Sequence, residues 1–292
     1  MLPVKKIYID SKYKNASSES NSDFKYQLDS TLSLPEGCVF KVVDVCIPHS
    51  WYTIEEDIND TFYFHVANTN TIDIRPFLCY RIQLATTNYT STELAVELQY
   101  RINQAYSAGG SEFAVVYNVL KQNLTISTST TNLSFKVMTE SDIKTKLNTL
   151  WTSSSNAAPN YDSDDPQDMN TNMLKLNTGL SPLYTYSTPY VSGYVNMEPI
   201  RNIYISSPNM SRFDVYGPRP GMRSVINKVP VTANFNSMIF DAVAYGDDCI
   251  DCSRLTLQTL EFKLVDCHGK TVPLHGCYVS FSLVFDIQPP RM

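Results

Sequence analysis

The sequence has little charge and no concentrated positive charge. Charged residues make up 18% of the 292 residues, below the roughly 25% of an ordinary soluble domain, and the formal net charge is −6. The chain contains no run of five or more lysines and arginines. A protein whose main task is binding phosphates carries more positive charge, so sequence-specific binding of nucleic acid is not predicted.

Long apolar runs are also missing. No stretch of about 18 apolar residues occurs, so the sequence predicts no membrane span. Residues 1–15 have no apolar stretch after their lysine pair, so we expect no secretion signal. Because no export is predicted, the seven cysteines are expected to be reduced thiols.

Motifs of common catalytic sites are scarce. The four histidines are scattered without an H-x-H pair, which disfavours a cupin-type metal site. No Gly-rich phosphate loop and no G-x-S-x-G motif occurs. One short segment, IPHSWYTIEEDIN, does place a histidine and a serine near three carboxylates: His49, Ser50, Glu55, Glu56 and Asp57.

The geometry of an extended chain argues against a hydrolase in this segment. Neighbouring side chains on a strand point to opposite faces, so His49 and Ser50 are not expected to form a base–nucleophile pair. The three carboxylates are expected in a solvated turn, because perturbed carboxylates need burial or close like charges. We therefore predict that the segment ends a core strand capped by Trp51 and Tyr52, and that the chain is not an enzyme.

Four residues near the C-terminus have the side chains of zinc ligands: Cys249, Cys252, Cys267 and His268. Their number and types suit a structural zinc site. However, residues 255–265 are predicted to form a strand, which would separate Cys252 from Cys267 by roughly 40 Å. Zinc ligands lie about 2.0–2.3 Å from the ion, so a shared site is disfavoured. Neither a metal nor another cofactor is predicted.

Strand patterns dominate the sequence. Residues 39–47 are apolar on both faces and rich in valine, as in a central strand. Residues 277–287 alternate between apolar and polar side chains. Their predicted hairpin partner, 255–265, contains a one-residue phase shift typical of a bulge. The pattern predicts a mostly β protein, an antiparallel jelly-roll sandwich.

One short helix and one insertion interrupt the strands. The helix is predicted over 91–106, where Thr90 and Glu93 have the spacing of a capping box. Residues 151–199 lack apolar periodicity and are predicted to form an inserted, loop-rich region. This region contains four tyrosines that form either a contact surface or an ordinary packed loop: Tyr184, Tyr186, Tyr190 and Tyr194.

These patterns predict a domain organisation with an interrupted jelly roll. Its parts are an N-terminal segment 1–38, two jelly-roll halves 39–150 and 200–288, the insertion 151–199 and a C-terminal tail 289–292.

Four segments carry motifs that recur in one family. Residues 7–34 contain a DS turn and S-D-F-x-x-x-L, and residues 42–59 contain I-P-h-x-x-Y followed by an asparagine. Residues 88–103 begin with the helix entry N-Y-T-x-x-x-L, and residues 255–287 contain L-x-x-x-x-F-x-L-x-D-x-x-G-x-x-V-x-L. In this order the segments resemble the penton, or minor capsid, proteins of virophages and Polinton-like viruses.

The resemblance implies a structural virion protein. The chain is expected to form a homopentamer that closes the fivefold vertices of an icosahedral capsid, next to the double-jelly-roll major capsid protein. It is expected at the capsid vertex of the virion after assembly in the host-cell cytoplasm. The insertion 151–199 is expected to project outward and to contact the host-cell surface. Trp51, Tyr52 and the four tyrosines are the candidate interface residues.

A second function stays open at this point. A jelly roll also suits a fibre or spike head that binds a receptor or a glycan. A penton is expected to form pentamers that engage capsid protein, whereas a glycan-binding head is expected to form trimers that bind sugar alone.

Overall fold

The structure is a computed structural model. It describes residues 2, 4–56, 58–68, 78–107, 110–130, 133–138, 189–211, 215–242 and 249–287. Over these residues the chain is mostly β, with antiparallel strand pairs and one α-helix, so the predicted fold class is confirmed. Two compact units are formed, unit 1 from residues 1–51 and 200–292 and unit 2 from residues 52–199.

Fifteen strands and one α-helix follow one another along the described chain. They are β1 (Lys6–Asp10), β2 (Asp23–Ser33), β3 (Cys38–Pro48), β4 (Thr61–Asn68), β5 (Leu78–Gln83), α1 (Ser91–Ser107), β6 (Phe113–Asn118), β7 (Asn123–Thr128), β8 (Leu133–Val137), β9 (Tyr190–Val191), β10 (Asn202–Ser206), β11 (Val225–Pro230), β12 (Met238–Asp241), β13 (Ile250–Asp251), β14 (Thr256–Val265) and β15 (Ser280–Ile287). A short 3-10 turn, Ser11–Tyr13, follows β1.

Unit 1 is built from two antiparallel sheets. Sheet A has the strand order β1-β15-β3-β12, with the two-residue β13 also paired to β3, and sheet B has the order β11-β10-β14-β2. Along the chain, consecutive strands of unit 1 lie in alternate sheets. The exceptions are β10 and β11, which both lie in sheet B, and the two-residue β13, which lies in sheet A like β12 before it. Two four-stranded Greek-key sheets connected in this way form a jelly roll.

The core of unit 1 lies between these sheets. On β14 the residues Leu260, Phe262 and Leu264 are buried, and the pairing with β2 shifts register between Leu257 and Thr259. The predicted phase shift is therefore a bulge. The Phe262 ring meets Phe281 of β15 edge-on, with centroids 5.0 Å apart.

The predicted hairpin between residues 255–265 and 277–287 is wrong. β14 pairs with β2 and β10 in sheet B, whereas β15 pairs with β1 and β3 in sheet A. Both strands bury one face toward the same core, and periodicity alone does not distinguish a partner across the core from a partner in the same sheet.

Unit 2 surrounds an aromatic and aliphatic core of its own. Its described strands form two sheets, β5-β4-β8 and β6-β7-β9. Helix α1 buries Leu94, Leu98 and Ile102 in this core. The capping box forms as predicted: the N–H of Glu93 donates to Thr90 Oγ1 at 3.3 Å, and the N–H of Thr90 donates to Glu93 Oε2 at 2.8 Å.

The two compact units divide the chain differently from the predicted domain boundaries. Strands β1 and β2, in the predicted N-terminal segment 1–38, belong to the jelly-roll sheets. Residues 52–138, predicted as part of a jelly-roll half, lie in unit 2. The stretch 139–188, which includes most of the predicted insertion, lies outside the described residues, as does the tail 289–292. Local patterns locate strands but not their distant partners, which explains the difference.

Candidate functional site

The histidine and serine that follow β3 contact different parts of unit 1. His49 is buried, and its Nδ1 donates to the carbonyl oxygen of Ala233 at 2.7 Å. Its ring stacks on Trp51 with centroids 4.2 Å apart. The hydroxyl of Ser50 donates to the carbonyl oxygen of Leu274 at 2.9 Å. Each side chain therefore stabilises a neighbouring loop, and the two do not form a base–nucleophile pair.

Trp51 does not suit the predicted interface role. Its side chain is only 1% exposed and packs against His49. It caps the end of β3 as predicted, but it has no surface to offer a partner. Tyr52, the first residue of unit 2, is partly exposed.

The acidic turn of unit 2 is more buried than predicted. Glu55 is 3% exposed, and its carboxylate accepts a hydrogen bond from the N–H of Tyr52. The N–H of Glu55 donates to Asn59 Oδ1 at 2.9 Å, and Asn59 Nδ2 donates to the carbonyl of Thr53 at 2.8 Å. The solvated turn is therefore wrong for Glu55. Glu56 is exposed as predicted, and Asp57 lies outside the described residues.

The four candidate zinc ligands are separated by strand β14. Cys252, before the strand, is fully buried, and its N–H donates to the carbonyl of Cys38 at 2.9 Å. Cys267 lies beyond the other end and is exposed, next to His268, while Cys249 precedes β13. In the part of the chain that the structure describes, no group of three or more His, Cys, Asp or Glu residues is arranged to hold a metal ion.

The tyrosines of the predicted contact surface differ in their exposure. Tyr190 lies in β9 and packs against the core of unit 2, whereas Tyr194 is exposed. The Tyr190 hydroxyl is buried without a hydrogen-bond partner among the described residues, and burial raises its pKa well above the usual value. Tyr184 and Tyr186 lie outside the described residues.

A cavity of about 540 Å³ opens beside β10 and β11 in unit 1. Tyr204, Tyr216 and Lys228 are among the residues that line it. Its described lining contains no carboxylate and no histidine.

Sequence patterns did not single out two exposed apolar patches at opposite edges of sheet A. The first, called here the β1 edge patch, consists of Tyr8, Tyr13 and Tyr278. Tyr8 is 71% exposed on the edge strand. Tyr278 belongs to the same edge, because the adjacent Ser11 and Val279 exchange two hydrogen bonds of 2.9 Å.

The second patch, called here the β12 edge patch, consists of Phe235, Met238 and Phe240. Phe240 is 70% exposed, although its neighbour Ile239 is fully buried. The Phe235 ring meets His49 edge-on at 6.1 Å, so His49 supports this edge from inside. The alternation in β12 was the available sequence signal, but four residues are too few to identify a strand reliably.

Two rows of paired residues that lead from the patches across sheet A contain no large aromatic side chain between the edges. Tyr8 pairs with Ser282, which pairs with Val43, and Phe240 pairs with Cys46, which pairs with Ser280. In these two rows, large exposed aromatic side chains therefore lie at the edges of the sheet rather than at its centre.

Over the described residues, no helix combines the length and the apolar character needed to cross a membrane. Neither a family model nor a curated protein matches this chain. Among solved structures, it is similar to the SeMet-labelled mavirus penton protein, with a TM-score of 0.49 and 9% identity. The match covers 97% of this chain and 98% of that chain. So low a TM-score and identity establish neither a family nor a function.

Proposed function

We propose that this chain is a structural virion protein. In this proposal it forms a homopentameric penton at the fivefold vertices of an icosahedral capsid, where it contacts the double-jelly-roll major capsid protein. The observation that carries the proposal is the strand order of unit 1, β1-β15-β3-β12 against β11-β10-β14-β2. Jelly rolls with two such Greek-key sheets are a common architecture of viral capsid proteins.

The sequence motifs narrow the choice among jelly rolls. The same fold also serves lectins and cupins, so the fold alone does not define the function. Three of the four motif segments coincide with jelly-roll strands: 7–34 with β1 and β2, 42–59 with β3, and 255–287 with β14 and β15. A resemblance to penton proteins in these segments therefore concerns the elements that build the fold.

The chemistry of the described residues favours an architectural role over catalysis. His49, Ser50 and Glu55 are each held by neighbouring polar groups. Burial raises the pKa of the Cys38 and Cys46 thiols. A raised thiol pKa lowers reactivity, which suits thiols that stay reduced during assembly in the host-cell cytoplasm. We propose no catalytic residue, no cofactor and no nucleic-acid site.

Unit 2 is proposed to carry contacts outside the ring. It is inserted between β3 and β10 of the jelly roll and includes the predicted insertion 151–199. A compact insertion between two scaffold strands can present a binding surface while the jelly roll forms the ring. Host-cell surface contact by this region is part of the proposal.

The proposal is tested by the mass of the purified full-length protein in solution. Light scattering at several protein concentrations is expected to give five times the protomer mass of 33.0 kDa. Mixing with the major capsid protein is then expected to give a larger complex. A trimer that binds glycans without capsid protein would overturn the penton assignment and support a fibre or spike head.

A further inference from the structure

The two edge patches lie at opposite edges of sheet A. Strands β15 and β3 lie between β1 and β12. Adjacent strands are about 4.8 Å apart, so the two edge strands are separated by about 14 Å. The β1 edge patch and the β12 edge patch of one copy are therefore distinct surfaces, and each is available to a different molecule.

Both patches have the composition of a protein contact. Tyrosine, phenylalanine and methionine are enriched in the centres of interfaces, where they bury a large area with few rotatable bonds. Phe240 and Met238 lie on either side of the buried Ile239 in a regular strand. Their exposure thus follows from strand geometry, with the alternate residue anchored in the core.

The two edges carry opposite charge. Residues 1–15, which include β1, contain four lysines and one aspartate. Lys12 holds its ammonium group over the ring of Tyr13 at 5.9 Å. Lys6, whose ammonium group lies 4.8 Å from the ring of Tyr8, is also paired with Asp44 at 2.8 Å. Among the described residues of β12 and β13, Asp241 and Asp251 are acidic and none is a lysine or an arginine. A basic aromatic edge and an acidic aromatic edge are complementary.

A closed ring requires this kind of asymmetry. In a cyclic assembly with more than two copies, each subunit uses one surface toward the preceding copy and a different surface toward the next copy. We infer that the β1 edge patch of one copy binds the β12 edge patch of the next copy, and that this contact repeats around the ring. The inference rests on the proposed function, because it names the surfaces that would join the pentamer.

A mixing experiment with two full-length variants tests the inference. The β1-edge variant carries Tyr8→Ser and Tyr13→Ser, and the β12-edge variant carries Met238→Ser and Phe240→Ser. Each variant alone lacks one half of every contact, so its mass is expected to fall from five protomers to one. An equimolar mixture is expected to form a dimer with one copy of each variant, because only one complete contact is available between them.

Controls separate the loss of a contact from the loss of folding. Tyr216→Ser removes an exposed aromatic side chain of unit 1 outside both patches and is expected to stay pentameric. Far-UV circular dichroism of every variant is expected to match the unchanged protein. Should a serine variant fail to fold, Lys12→Glu replaces it on the β1 edge, since Lys12 is exposed, and is expected to weaken association at least tenfold.

The outcomes distinguish this inference from the proposed function. If the unchanged protein is pentameric and both edge variants stay pentameric, the edge contact is wrong while the penton assignment stands. If either variant forms homodimers alone, the contact joins identical patches, which also overturns the inference. If the unchanged protein is not pentameric, the proposed function fails first.

Discussion

The two units of this chain differ in how far apart in sequence their paired strands lie. Unit 1 joins residues 1–51 to residues 200–292, and its strand pairs, such as β1 with β15, connect positions that are distant in sequence. Unit 2 is continuous and relies on local pairs such as β4 with β5 and β6 with β7. Long-range pairs close large loops, so unit 1 is expected to form only when both of its segments are present.

The units also differ in charge. Unit 1 contains 15 basic and 14 acidic residues, whereas unit 2 contains 8 basic and 15 acidic residues. A net charge near zero favours association between protein surfaces, and a strong net charge opposes it. Electrostatic repulsion between copies is therefore expected to be weaker for unit 1 than for unit 2.

The largest expected effect comes from core truncations that address one unit at a time. Phe262→Ala in unit 1 removes ring contacts with Phe24 and Phe281 and is expected to lower the free energy of unfolding by about 3–5 kcal/mol. Phe64→Ala in unit 2, which removes contacts with Phe62 and Phe135, serves as the matched variant. In calorimetry each variant is expected to shift the transition of its own unit. A single transition that both variants shift equally would contradict independent units.

A smaller loss of stability is expected when the side-chain hydrogen bonds between helix α1 and β6 are removed. The Asn103 side chain donates to the carbonyl of Phe113 at 2.8 Å and accepts from its N–H at 2.9 Å. Asn103→Ala leaves both buried groups without this partner and is expected to cost about 1–3 kcal/mol, measured by chemical denaturation of unit 2. Gln104→Ala, at an exposed position of the same helix, is the control and is expected to change stability by less than about 0.5 kcal/mol. Equal losses in the two variants would show that the Asn103 contacts do not matter.

Loss of the helix cap is expected to lower the free energy of unfolding by less than loss of the Asn103 hydrogen bonds. Thr90→Ala removes the hydroxyl that accepts from the N–H of Glu93 and is expected to cost about 1 kcal/mol in the unfolding of unit 2. Thr90→Ser keeps that acceptor and is expected to retain most of the stability. The prediction fails if serine and alanine destabilise the helix by the same amount.

The smallest expected loss of stability comes from removing an ion pair across sheet A. Asp44 lies in β3 at a positive φ of 54°, and its carboxylate is 2.8 Å from Lys6 Nζ. The hydrogen bond from Lys6 lowers the pKa of Asp44 below its usual 3.8. Its stabilising contribution is therefore present above pH 3.8 and is lost as the pH falls through the lowered pKa.

Asp44→Asn tests that pair, because asparagine also tolerates a positive φ. The variant is expected to be slightly less stable than the unchanged protein at neutral pH and equally stable in acid, by denaturant midpoint. A difference that persists unchanged in acid would show that charge is not its cause.

Sequence reasoning succeeded where the relevant interactions are local. The one buried face of β14 and the cap at Thr90 depend on neighbouring residues, and both were predicted. Partners were not predictable in the same way: β14 and β15 follow each other but lie in different sheets. Glu55 looked solvated because its burial depends on backbone groups that only the folded turn brings near it.

The most direct test of the penton assignment is the symmetry of the assembled protein. Electron microscopy of the negatively stained, full-length protein is expected to give class averages of a ring with five equal lobes. Single particles without a ring, or averages with three lobes, would contradict the account, since neither can close a fivefold vertex.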